Sequence, residues 1–139
     1  MIPYIVTIEV MINERRKILV ERTELDEFIE SIRSSDGSGE CAVKHAIDIV
    51  GGKWKLNILA LIVRSDNVRF NEMKRRIYGI TNTMLTNTLK ELEMDKLIQR
   101  TQYNEMPLRV EYSLTEKGRN ILPALLELSK WWKQNKTDM

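Results

Sequence analysis

The 139-residue chain is 42% hydrophobic and 30% charged, enough to bury one core and form one compact domain with appendages. Its apolar runs break well short of the roughly 18 residues a membrane span needs. Residues 1–11 lack a signal-peptide pattern, and the single cysteine, Cys41, forms no internal disulfide. The expectation is a cytoplasmic protein with no membrane partner and no stapled secreted scaffold. The net charge of +2 hides an asymmetry: residues 1–40 hold five Lys+Arg against nine Asp+Glu, and 41–139 hold seventeen against eleven. Only the second part carries the positive excess that favours a polyanion, although an ordinary soluble surface has the same look.

Residues 1–40 read as an N-terminal extension. In "IPYIVTIEVMI", Tyr4, Val6, Ile8 and Val10 alternate, which predicts a strand, and "RKILVER" is its hairpin partner across "NER". Thr23 and Asp26 bracket a helix start, with Leu25, Phe28, Ile29 and Ile32 on one face. Small polar residues at 34–40, "SSDGSGE", mark a linker. The predicted αβ extension, strand hairpin plus short helix, ends there, and a domain of residues 41–139 begins.

"CAVKHAIDIV" and "KWKLNILALIV" are helical patterns separated by Gly51-Gly52. A tight interhelix turn explains the glycines better than a phosphate cradle, because no strand or Walker spacing precedes them. In "RFNEMKRRIYGITNTMLTNTLKELE", Asn71 is the predicted cap of a helix whose Phe70, Met73 and Ile77 face inward, and Gly79 supplies a turn. Thr81 caps a second helix, 81–94, with Met84, Leu85, Thr88, Leu89 and Leu92 as its buried stripe. Asn82, Thr83, Thr86, Asn87 and Lys90 are left on the open face. That face is short and acid-free: Asn pairs with adenine edges, Thr offers a hydroxyl and a methyl, and neither repels phosphate. Two helices about a glycine turn, the second polar at its start, read as a helix-turn-helix. Any helical hairpin also has a solvated face.

"LIQRTQY" and "RVEYSL" flank "NEMPL", a hairpin over 98–114 carrying Arg100 and Arg109. Placed after a recognition helix, it is a wing for the adjacent minor groove or backbone, with an ordinary structural hairpin as the plain alternative. Lys74, Arg75, Arg76 and Thr81 join both wing arginines as expected backbone contacts. In "LTEKGRNILPALLELSKWWKQN", Thr115 caps a helix and Pro123 should kink it near Arg119. The apolar residues from Ile121 to Trp132 cover more of that helix than one stripe needs, so part of it wants a partner.

From Cys41 to Trp131, "C", "HAIDIVGGKW", "RFNEMKRRI", "GITNTMLTNTLKELE", "LIQR" and "PLRVEYSLTEKG" occur in order. This run resembles the HxlR family of bacterial and archaeal winged-helix transcription regulators. The resemblance implies a mainly α fold with a small β wing, a winged helix-turn-helix dimerised through its N- and C-terminal helices, and binding of a pseudo-palindromic double-stranded DNA operator. Val43, Ile47, Ile121, Leu125, Leu128 and Trp132 are the expected interface residues of that homodimer. A cysteine ahead of the domain's first helix is, in many such regulators, an oxidation or electrophile sensor. That makes Cys41 a candidate thiol sensor, since a helix N-terminus and nearby Lys44 favour a reactive sulfur; a small buried apolar role is the alternative. Asn82-Thr83 stand where the family commonly has Pro-Lys, which removes a cation and leaves the operator unassigned; the effector is unassigned as well. Lys96 occupies the usual glycine, where a left-handed backbone costs about 1 kcal/mol.

An enzyme is disfavoured by inventory. One His and one Cys, His45 and Cys41, share a helical face, but two ligands are too few for a closed metal site within one chain. No catalytic residue, metal or cofactor is expected. Single-strand RNA readers need aromatic platforms, and only Tyr78 and Tyr103 lie near the basic elements. The remaining alternatives are a protein-interaction module and a small-molecule-responsive regulator without thiol sensing.

Overall fold

The computed structural model describes residues 3–34 and 41–138, and side-chain placement at 12–16, 23–34 and 41–137. Packing divides the chain into two compact units, residues 1–46 and 47–139. In the first, Pro3–Arg33 is one helix, α1, where the sequence predicts a strand hairpin and a short helix starting near Thr23. The correction has a physical reason. No glycine or proline occurs between Tyr4 and Asp36, so "NER" lacks a residue suited to a tight turn. Pro3 sits in the first turn, where its missing N–H is tolerated, and residues 14–33 are dominated by Glu, Arg, Lys, Leu and Ile. The expected linker, beyond Ser34, lies outside the described residues.

The elements that follow are α2 (Ala42–Val50), α3 (Lys55–Ser65), β1 (Val68–Arg69), α4 (Phe70–Arg76), α5 (Asn82–Met94), β2 (Ile98–Tyr103), β3 (Arg109–Leu114), α6 (Glu116–Asn120) and α7 (Leu122–Asn135). A 3-10 turn closes at Lys136–Asp138. The sheet is antiparallel in the order β1-β3-β2. Val68 stands opposite Tyr112, Ile98 opposite Leu114 and Tyr103 opposite Arg109. The chain is thus mainly helical with a small three-stranded sheet, of which the β2–β3 hairpin is the wing. β1, only two residues long, is too short to show a period and was not expected.

Ile58 and Ile62 of α3, Met73 of α4, Leu85, Leu89 and Leu92 of α5, and Val68 and Ile98 of the sheet are the largest fully buried side chains besides Ile80. Each fully buried Leu or Ile contributes about 1.5–3 kcal/mol, so α5 cannot rotate about its axis without losing several of them. Asn71 does not cap α4. β1 delivers the chain straight into the helix, which starts at Phe70 after an extended Arg69 and has no side-chain cap. In the α4–α5 turn Gly79 has φ +83°, a conformation costly for other residues. Lys74 Nζ spans that turn to donate to the Ile80 carbonyl.

Beyond the sheet the expected kinked helix is two helices, α6 and α7, meeting at Ile121. Pro123 falls in the first turn of α7, where it removes no intrahelical hydrogen bond. Short α6 packs behind the wing. Thr115 Oγ1 accepts from Gly118 N at 3.0 Å and donates to the Lys96 carbonyl, while Lys117 Nζ donates to the Asp95 carbonyl at 2.8 Å. The C-terminal end of α5 is therefore held by α6.

Candidate nucleic-acid interface

α5 is the centre of the candidate interface. Thr81, extended at φ −86° and ψ 160°, accepts from Met84 N at 3.1 Å and caps it as expected. With Leu85, Thr88, Leu89 and Leu92 buried, Asn82, Thr83, Asn87 and Lys90 are exposed and Thr86 is half-buried. These five residues share the open side of one helix. Met84, expected in the buried stripe, is 46% exposed, because at about 100° per residue it stands roughly 90° round the helix from the stripe's centre. Buried Thr88 is satisfied by donating to the Met84 carbonyl at 2.7 Å. The acids of α5 lie toward its far end, and Glu91 faces Lys55 Nζ at 3.3 Å, where the Lys55 side chain is only 12% exposed. Nothing in the sequence marks that pair, which ties α3 to α5.

The cations of α4 differ in what they have left to offer. Arg75 is exposed and carries no ion pair among the described residues. Arg76 Nη2 lies 3.2 Å from Glu72 Oε1, an exposed i,i+4 pair worth little. Lys74 is engaged with the Ile80 carbonyl but keeps two further donors. Arg69, which the sequence reading passed over, is exposed between α4 and the wing with Nε 4.0 Å from Glu111. It lines, with Asn71, Arg75 and Leu108, a cleft of about 600 Å³.

In the wing Arg100 is exposed, whereas Arg109 is engaged by Tyr103, Glu105 and Glu111. Residues 98–114 hold Arg100 and Arg109 against Glu105 and Glu111, so the hairpin carries no net charge and is not the basic arm expected. The signal was legible: opposite charges at 109 and 111 share one face of a strand, and counting both signs would have found them.

Away from α5, Cys41 is half-buried immediately before α2, and His45 is exposed. No cluster of three metal-binding side chains occurs among the described residues. Val43, Ile47, Leu128 and Trp132 are exposed, and Ile121 and Leu125 half-buried. α7 buries none of its residues. With α3 it bounds an apolar groove of about 590 Å³ lined by Leu56, Leu59, Val63, Leu125, Leu128 and Trp132. No helix among the described residues is long and apolar enough to cross a membrane.

Comparison with known proteins agrees with this geometry. The profile of the HxlR-like helix-turn-helix family matches residues 49–139. An uncharacterized HTH-type transcriptional regulator of Methanothermobacter thermautotrophicus is 46% identical over 104 residues, 72% of this chain and 79% of that one. Among solved structures, the redox regulator HypR in its oxidized form is 41% identical with a TM-score of 0.61, covering 68% of this chain and 97% of its own. Diamide-treated YodB from Bacillus subtilis is 32% identical with a TM-score of 0.60, covering 66% and 89%. The relatives are transcription regulators and not enzymes, and with the profile spanning α3 through α7 the chain belongs to the HxlR-like helix-turn-helix family of transcriptional regulators.

Proposed function

We propose that the chain is a sequence-specific double-stranded DNA-binding regulator acting as a homodimer on a pseudo-palindromic operator. Asn82, Thr83, Thr86, Asn87 and Lys90 enter the major groove, and Lys74, Arg75, Arg76, Thr81 and Arg100 hold the backbone. Residues 41–139 form the DNA-binding domain and 1–40 an appended extension. The observation that carries this reading is the open face of α5, which is acid-free from Asn82 to Lys90 and pinned by three buried leucines behind it. Exposed apolar side chains on α2 and α7, Trp132 and Leu128 among them, support dimerisation through Val43, Ile47, Ile121, Leu125, Leu128 and Trp132, since exposed apolar patches of this kind mark interaction sites. The experiment is quantitative binding to duplex DNA across salt. Asn87→Ala should change base preference by about 1–3 kcal/mol at one position, while Arg75→Ala weakens all sequences and lowers the salt slope by about 1. Unchanged specificity on replacing all five α5 residues by alanine refutes the assignment.

A thiol response is the second reading, favoured by Cys41 at the start of α2 and by structural neighbours described as a redox regulator and as diamide-treated. With one cysteine in the sequence, two Cys41 thiols from two chains lose two hydrogens to diamide and form an intersubunit disulfide, or one forms a mixed disulfide with a small thiol. Diamide should change operator affinity for the wild type and leave Cys41→Ser unchanged. An equal response in both proteins removes Cys41 from the account.

A further inference from the structure

Of the wing's two arginines, only Arg100 has a guanidinium without an ion-pair partner among the described residues. Arg109 is committed inside the hairpin. Its guanidinium lies 4.0 Å over the ring of Tyr103, its partner across the β2–β3 register. Nη2 donates to Glu105 Oε1 at 3.1 Å, Nη1 lies 3.6 Å from Glu111 Oε1, and Nε is shut off from solvent. A guanidinium has five donors in one plane. Here two of its edges face carboxylates and one face covers a ring, so little of the group is turned outward, its side chain being 28% exposed. Glu111 is a poor partner to displace, its side chain being 16% exposed.

The same contacts solve a problem at the tip. Glu105 sits in the loop between β2 and β3, where a bare carboxylate would repel a DNA backbone; the Arg109 guanidinium at 3.1 Å offsets part of that charge. Beside exposed Asn104 and Glu105, the loop presents two apolar side chains outward: Met106 is 99% exposed and Leu108 59%. Proteins that enter the minor groove often do so with apolar side chains laid against sugars or wedged at a base step.

Resting on the DNA reading above, we propose that the wing meets the minor groove through Met106 and Leu108, with Arg109 a positioning residue that folds the tip, offsets part of its charge and touches no phosphate. The wing's electrostatic grip falls to Arg100, and its apolar tip adds affinity without releasing counterions.

The test measures affinity against salt for the wild type, Met106→Ala, the charge-balanced pair Glu105→Gln with Arg109→Gln, and all three changes together, on a duplex recovered from a random-sequence pool by the wild type. Met106→Ala leaves the fold intact because the side chain is 99% exposed. Met106→Ala and the charge-balanced pair should each weaken binding about tenfold at an unchanged salt slope, and the combination should be no weaker than the weaker of the two, since both act through one tip. A slope about 0.9 shallower in the charge-balanced pair, the loss of one phosphate contact, overturns the proposal. So does wild-type affinity in Met106→Ala, which leaves the DNA reading standing; a wild-type chain that binds no duplex overturns both.

Discussion

Gly118→Ala should loosen the support of α5. At Gly118 a Cβ would stand 2.1 Å from the Leu97 carbonyl oxygen and 3.0 Å from its carbon, with Leu114 Cδ2 at 3.2 Å. The obstructing atoms are backbone, so relief requires α6 to move as a unit. That oxygen also accepts from Thr115 N at 3.1 Å. Overpacking costs about 1–3 kcal/mol, and each weakened hydrogen bond adds about 0.5–1.5 kcal/mol, so a total near 3 kcal/mol is expected. At roughly 4 °C per kcal/mol for a domain of about 100 residues, the midpoint should fall by on the order of 10 °C, read by far-UV circular dichroism. Because α6 holds the end of α5 through Lys117 and Thr115, DNA affinity should fall with it. A midpoint within about 2 °C of wild type would show that α6 has room the structure denies it.

Thr81→Ala removes the only side-chain cap of α5 and should cost about 1 kcal/mol by chemical denaturation; no loss would mean the cap is replaced by water. Lys96 adopts φ +60°, so Lys96→Gly should raise stability by up to about 1 kcal/mol after the entropy of the added glycine is deducted, and a lower denaturation midpoint would count against strain there. Removing residues from Leu125 onward should leave a chain that sediments as a monomer and loses operator binding, since the exposed side chains of α7 go with it; a truncated dimer that still binds would place the interface elsewhere.

Much of the site was written in the spacing of residues. Leu85, Leu89 and Leu92 recur on one side of a helix, and once they are buried the positions of Asn82, Asn87 and Lys90 follow from the helical repeat alone. Thr81 and Thr115 were legible as caps because their chemistry is local. What failed was non-local or ambiguous. The alternating run from Tyr4 to Val10 also holds Ile5 and Ile8, which continue to Ile12 at helical spacing, and the lack of a turn residue, with Pro3 in the first turn and helix formers after it, favours the helix that forms. Asn71 lost the capping position because β1 pairs with β3, more than forty residues away in sequence. Lys55 meeting Glu91 and Lys74 reaching Ile80 depend on how helices pack, which no local pattern encodes. The pairing of Arg109 with Glu105 and Glu111 was not foreseen, because a cation was counted without its neighbouring acids.

The central claim is that the open face of α5 reads bases from each half of a symmetric dimer. Binding-site selection from random duplex DNA tests it most directly, run in parallel for the wild type and Asn87→Ala. The account predicts an inverted repeat with half-site centres about one helical turn, roughly 34 Å, apart, and a changed preference at one position in each half for the variant. Recovery of no common sequence, or of the same sequence by both proteins, would contradict it.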